Sequence, residues 1–378
     1  MTTIALPEIP TGLTTLSGYV YGVGIHGAIM VVNPKGGPSR VIARVPGAQS
    51  IASGGGYLWA WPFHGGLARL YPVQLNGAVD APLPPPISVE IKRLPFHGIN
   101  DVASGTGSVW ALLGRKLIRI HPATGRLGGA PILLPWSTQL NPSPHLAVAA
   151  GSVWVSGGGT GTVLRVRPTS KRSVLTTVRI TPPATPTQGG PGNFAGTNLS
   201  ELAAEGSALW ICCDGRDGIH EIDAHTGRVM PGTVTAPACL GGTWDQIVAS
   251  HGLWTYAGYA ECGTGEPGEV FRVGPAPGLP YVGGRIDLRG ARLYGPAETG
   301  ADQGTMTVAF GRVWVTDSTP PSIISIPQTV SLPVWTYQGK APTPWWVRWG
   351  WVLVGLTALI LLGGALARLV RRRELTAR

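Results

Sequence analysis

The side chains best placed to do chemistry stand at the entries of short apolar segments: Asn100 and Asp101, His145, Asn198, Glu201, Asp245 and Gln246, and Gln303 beside Asp302. An imidazole within reach of carboxylates can take a proton, or help hold a cation that stabilises a developing charge. His145 with Glu201 or Asp245 would supply that pair. No fixed spacing singles out this set, and no HExxH or other compact ligand motif occurs. Polar groups at such entries also serve simply to hydrogen-bond neighbouring segments. The expectation is therefore a polar pocket that binds a ligand rather than a catalytic centre. No motif calls for a cofactor, and a divalent cation is the one that such a pocket would take. The metal-assisted alternative, a lyase or hydrolase, would use the same residues. His121 and His225 fall in turns between strands, and His26 and His64 in Gly-rich loops.

Four cysteines add a second constellation. Cys212 and Cys213 end a strand, Cys239 falls in the loop that follows, and Cys262 lies in a loop of the next repeat. Four cysteines allow three pairings, and a bridge from Cys212 or Cys213 to Cys239 or Cys262 is expected. Such a bridge suits an oxidising compartment. Structural zinc is the rival, weakened by a Cys-Cys pair that lacks CxxC spacing; buried thiols are the third reading.

What must position these residues is a repeat. Segments DVASGTGSVWALLGRKLIRIHPATGRL from Asp101, LAVAAGSVWVSGGGTGTVLRVRPTSKR from Leu146 and ELAAEGSALWICCDGRDGIHEIDAHTGRV from Glu201 share one plan. A short apolar strand ends in Gly, and a tight turn leads to a second strand that carries Trp. A Gly-rich loop then gives a third strand, and a Pro/Thr/Gly turn a fourth. Looser copies start at Ile51, Gln246 and Thr307, and a seventh, from Ser17, has Tyr where the others have Trp. The recurrent aromatics are Tyr21, Trp59, Trp110, Trp154, Trp210, Trp254 and Trp314. Their spacing brackets the period of four-stranded blades. Composition agrees: 56 Gly and 35 Pro with 13% charged residues describe many short segments broken by turns, not long soluble helices.

The VW step and the HPATGR-type turn resemble the bacterial propellers of the YVTN-type and virginiamycin B lyase-like group, over about residues 17 to 330. The resemblance implies the fold and does not carry an activity with it. The expected architecture is an all-β propeller of about seven blades over residues 1–327. The final repeat supplies three strands, so an orphan strand at Thr2 to Ile9 is expected to complete the last blade and remove two open edges. Segments from Ala81 (APLPPPIS) and Thr181 are expected to be loops between blades.

Beyond the ring come a Pro-containing stalk at 328–346, a transmembrane helix at 347–369 and a basic tail at 370–378. Trp349 to Ala367 is an uncharged apolar run of the length needed to cross a bilayer. Trp345, Trp346, Trp349 and Trp351 would form its interfacial belt, and Arg371 to Arg373 follow it. The positive-inside rule then puts the tail in the cytoplasm and the propeller outside. Residues 1 to 30 show no secretory signal. Either the start lies upstream, or the last helix alone directs insertion and leaves the propeller in the cytosol as a scaffold; the arginine cluster favours the first. Sortase processing is rejected, since Leu332-Pro333-Val334-Trp335-Thr336 misplaces the Thr and lacks the Gly. The formal charge of +10 falls to about +5 once Arg348, Arg368, Arg371, Arg372, Arg373, Arg378 and Glu374 are set aside. With no basic stripe interleaved with aromatics, nucleic acid is not an expected partner. The expected partners are the membrane and an unknown protein or carbohydrate ligand.

Overall fold

Alternating apolar residues in segments such as Ser108–Leu113 and Lys116–Ile120 dictate strands with two usable faces, and tight turns return each strand beside the last. The computed structural model describes residues 1–35, 37–62, 68–73, 75, 87–89, 99–135, 144–156, 162–168, 173–180, 199–213, 219–234, 246–250, 252–257, 269–273, 284–288, 305–318 and 320–329. Every described element is a strand, and the strands form seven antiparallel sheets of four. Blade one is β2 (Pro10–Leu16), β3 (Tyr19–Gly24), β4 (Ala28–Val32) and β5 (Arg40–Arg44). Blade two is β6 (Ala48–Gly54), β7 (Tyr57–Pro62), β8 (Ala68–Val73) and β9 (Ile87–Val89). Blade three is β10 (Asp101–Gly105), β11 (Ser108–Leu113), β12 (Lys116–Ile120) and β13 (Ile132–Leu133). Blade four is β14 (Leu146–Ala149), β15 (Ser152–Val155), β16 (Thr162–Pro168) and β17 (Ser173–Arg179).

Blade five is β18 (Leu199–Glu205), β19 (Ala208–Cys213), β20 (Ile219–Asp223) and β21 (Arg228–Val234). Blade six is β22 (Gln246–Ala249), β23 (Leu253–Ala257), β24 (Glu269–Val273) and β25 (Gly284–Asp287). Blade seven combines β26 (Met306–Ala309), β27 (Arg312–Ser318) and β28 (Pro321–Pro327) with β1 (Thr2–Ala5) from the opposite end of the chain. The expected closure is thus present: Thr3 faces Ile324 and Ile4 faces Ile323 across the β1–β28 ladder. The first strands of successive blades touch in a complete cycle, β2 to β6, β10, β14, β18, β22, β26 and back to β2. This is a closed seven-bladed propeller.

Two strands depart from the expectation. The first blade begins at Pro10, because Thr11 to Leu16 pairs with β3 although its Thr and Gly content hides an apolar pattern. Ile87–Val89, at the end of a Pro-rich stretch expected to be loop, forms the outer strand of blade two.

The core is a set of interfaces between blades. Alternation sends Val109, Ala111 and Leu113 of β11 toward blade two, where they meet Trp59 and Leu70, while Trp110 and Leu112 turn toward Leu146, Val153 and Val155 of blade four. The same rule places Trp154 against Leu202 and Leu209 of blade five, Trp254 against Val313 of blade seven, and Trp314 against Val20 and Met30 of blade one. Trp59, Trp110, Trp154, Trp254 and Trp314 are fully buried. Each indole N–H needs a partner there, and Trp59, Trp154, Trp254 and Trp314 donate to Gly54, Ala149, Ser250 and Ala309 carbonyls at 2.9–3.3 Å. Near the turns the first strands pack too closely for side chains: a Cβ on Gly54 would collide with Ser104, and one on Gly105 with Val148. That is why these strands end in Gly.

The chain divides into two compact units, Met1–Thr336 and Tyr337–Arg378. Among the described residues no helix is long and apolar enough to cross a membrane. The expected span at 347–369, its stalk and the basic tail lie outside the described residues.

Candidate functional site

Strand order decides which side chains meet. The residues that enter each innermost strand, and those that leave each second strand, gather at one end of the ring around its channel. A cavity of about 440 Å³ occupies this channel, lined by all seven innermost strands, from Thr11 and Leu13 of β2 round to Thr307 of β26. Its walls are mostly small and neutral, with Ala203, Ala204, Val248 and Ala249 among them. Among the described residues, polar chemistry concentrates where blades three and four begin, at Asn100, Asp101 and His145.

Each of these three is held by backbone. Asn100 donates its N–H to the Leu112 carbonyl at 2.8 Å and accepts the Gly114 N–H on Oδ1 at 2.7 Å. Asp101 accepts the Val102 N–H on Oδ1 and, on Oδ2, the N–H of Leu146 in the next blade, both at 2.7 Å. His145 Nδ1 lies 3.5 Å from the same Oδ2. The Asp101 carboxylate is therefore committed to joining blade three to blade four, and it orients the imidazole rather than standing ready as a base. His145 is itself pinned, its N–H donating to Ser156 Oγ at 3.1 Å and its carbonyl accepting the Ser156 N–H at 3.0 Å. Blade seven repeats the device with Thr305 and Thr316, whose N–H···Oγ1 and N–H···O bonds measure 2.7 and 3.0 Å. Between blades one and two, the Thr11 hydroxyl donates to the Gln49 carbonyl at 2.7 Å.

Among the expected site residues, then, Asn100, Asp101 and His145 come together. Glu201 lies in β18 and Gln246 in β22, two other channel strands. Asn198, Asp245, Asp302 and Gln303 lie outside the described residues. Cys212 and Cys213 end β19 as expected, while Cys239 and Cys262 lie outside the described residues. Among the described residues, no group of three or more His, Cys, Asp or Glu could hold a metal ion.

Two channel residues escaped the sequence reading. Trp61 is 3% exposed, and its indole N–H makes no hydrogen bond; the Thr305 hydroxyl is buried and likewise unpartnered. Both line the channel. In sequence, Trp61 looks like a second core aromatic beside Trp59, and Thr305 has no distinguishing neighbour. A second missed pattern is an arginine beside the blade tryptophan. Arg119, Arg165 and Arg272 stand directly across from Trp110, Trp154 and Trp254, with guanidinium carbons 5.7, 5.1 and 5.5 Å from the ring centres. In blades three and four the arginine Nε also donates to a serine two residues before the tryptophan, Ser108 at 2.8 Å and Ser152 at 3.0 Å. Blade seven swaps the two, with Arg312 before Trp314 and Ser325 opposite it. The signal was present as GSVW, GSVW and GRVW.

No protein-family profile matches the chain, and no curated protein does. Solved structures match its fold. A chain of the mitotic checkpoint complex superposes with a TM-score of 0.55 at 10% identity, covering 86% of this chain and 92% of that one. BamB from Moraxella catarrhalis gives 0.47 at 10% identity over 88% and 85%, and Sqt1 of Saccharomyces cerevisiae 0.48 at 11% over 86% and 100%. At such identity the first shows the fold alone, and the other two are similar more loosely still. The chain has a propeller fold of seven four-stranded blades.

Proposed function

We propose that this chain is a binding module: a propeller held at the cell surface by one C-terminal transmembrane helix, taking a protein or carbohydrate ligand at the mouth of its channel. The observation that carries the binding reading is the pair of unpartnered buried donors, Trp61 Nε1 and Thr305 Oγ1, on two residues that line the channel near an Asp101 carboxylate already engaged. A buried donor left unpaired costs roughly 1–3 kcal/mol, which an acceptor oxygen from a ligand or water recovers. Sugar hydroxyls and peptide carbonyls both provide such oxygens. The apolar run from Trp349 to Ala367 and the arginines after it support the anchor, with the tail in the cytoplasm and the ring outside. In that compartment Cys212 or Cys213 would pair with Cys239 or Cys262.

The test uses purified full-length chain in detergent against an array of defined glycans and solubilised envelope proteins, beside the variant Trp61→Phe/Thr305→Val, which removes the two donors. A ligand retained by the native chain and lost by the variant supports the channel mouth. A ligand bound equally by both removes the mouth from the account.

A further inference from the structure

Arg165 is 4% exposed, yet among the described residues no carboxylate lies within ion-pair distance of it. Its guanidinium is fixed on three sides. Nε donates to Ser152 Oγ at 3.0 Å, one terminal nitrogen donates to the His225 carbonyl of blade five at 2.9 Å, and the plane lies over Trp154. A buried cation without a counter-ion is costly, and here a like charge adds to the cost. Arg167 sits two residues on, on the same face of β16, and burial followed by Arg167 pushes the Arg165 pKa down, with Asp223 partly opposing.

All of this borders a cleft of about 330 Å³ between the outer strands of blade four and the β20–β21 turn of blade five. Among the described residues Arg165, Arg167 and Arg179 line it together with Thr176 and with Thr226, whose hydroxyl donates to the Asp223 carboxylate at 2.9 Å. Gly227 in that turn has φ +78°, a left-handed conformation that lets the chain fold back over Trp154 and Arg165 and close the cleft on that side. Two other arginines stacked on tryptophans, Arg119 and Arg312, are bonded to their serines but border none of the clefts described.

We infer that this cleft binds a tetrahedral oxyanion, a phosphate or sulfate group, between the rigid guanidinium of Arg165 and the exposed guanidinium of Arg167, with the Thr176 hydroxyl as a further donor. Guanidinium groups suit this role because their N–H donors match the oxygens of such a group. The assignment is independent of the channel mouth, which lies on other strands.

The experiment is a titration of the full chain in detergent, read by thermal shift and calorimetry, at constant ionic strength set with chloride. The probes are inorganic phosphate, glycerol 3-phosphate and acetate. Saturable stabilisation by inorganic phosphate is expected, with affinity falling about tenfold or more in Arg167→Gln, as loss of a charge-assisted bond implies, and unchanged in Arg179→Gln, whose side chain leaves the other face of β17. Both positions are exposed, so these variants fold. Arg40→Gln, in the groove between blades one and two, should leave the affinity unchanged. Stabilisation by the monoester as well assigns the cleft to a ligand-borne phosphate; phosphate alone assigns it to the free ion. A response no larger than that to acetate, or one that survives Arg167→Gln, overturns the inference.

Discussion

In the groove between blades one and two, Tyr21 of β3 faces Val31 of β4, and Val31 in turn faces Arg40 of β5. At the equivalent places between blades four and five stand Trp154, Arg165 and Thr176. Ser152, which ties down Arg165, is matched by Tyr19, whose ring packs 6.4 Å from that of Tyr21. Both grooves hold cavities, about 490 Å³ in the first and 330 Å³ in the second. Among the described residues, Tyr19, Tyr21, Asn33 and Arg40 wall the first, and the paired arginines Arg165 and Arg167 with threonine hydroxyls wall the second. One backbone plan thus carries two chemistries. The repeat spends its recurrent aromatics on burial, and recognition falls to positions that the repeat leaves free to vary.

The largest test of this contrast is truncation of the two aromatics. Trp154→Ala should cost about 3–5 kcal/mol in chemical denaturation, since it empties the blade four to five interface and removes the plane under Arg165. Tyr21→Ala should cost less, because its ring borders a cavity already open to solvent. Equal losses would mean that the two grooves are held in the same way. Next comes the clasp beside the channel: Asp101→Ala orphans the Leu146 N–H and should cost about 1–3 kcal/mol, measured in the same way. That loss should leave both grooves intact, and phosphate affinity should not change.

Smaller again is Gly227→Ala. The added Cβ would meet Val178 at 3.5 Å and Arg165 at 3.8 Å, ordinary contacts, so its cost of about 1 kcal/mol comes from the left-handed backbone. It should also weaken phosphate binding by shifting the turn.

The smallest effect concerns pH. In that turn Thr226 first, then the His225 and Thr226 N–H groups, hold the Asp223 carboxyl below its ordinary value. A depressed carboxyl pKa contributes stability that is complete above the unfolded value and is lost as pH falls through the folded one. Glu221, raised by burial and then by Asp223, works the other way, its burden lifting on acidification. Asp223→Asn should therefore flatten the loss of thermal stability below about pH 4, without changing the neutral-pH fold.

The ring was legible because burial repeats. An aromatic in every second strand must face the next blade, so Tyr21 and the six tryptophans marked seven interfaces, and a last repeat of only three strands implied β1. Strands without that signature were not legible: Thr11 to Leu16 is rich in Thr, and Ile87–Val89 is only three residues long after a Pro run. At the channel, Asn100, Asp101 and His145 could be found because an entry position fixes the face. Trp61 and Thr305 could not, because an unpartnered donor is defined by what three-dimensional neighbours fail to supply. The arginine of blade four was hidden for the same reason, since its partners Ser152 and His225 come from another strand and another blade.

Display of the ring outside the cell is the claim on which the proposed function turns, and it is tested most directly in intact cells. Cells carrying the full chain with a tag after Arg378 are treated with a protease that cannot cross the membrane, then blotted for the propeller and for the tag. Loss of the propeller with survival of the tag is the predicted result. A propeller protected until the cells are lysed would contradict it and place the ring in the cytosol.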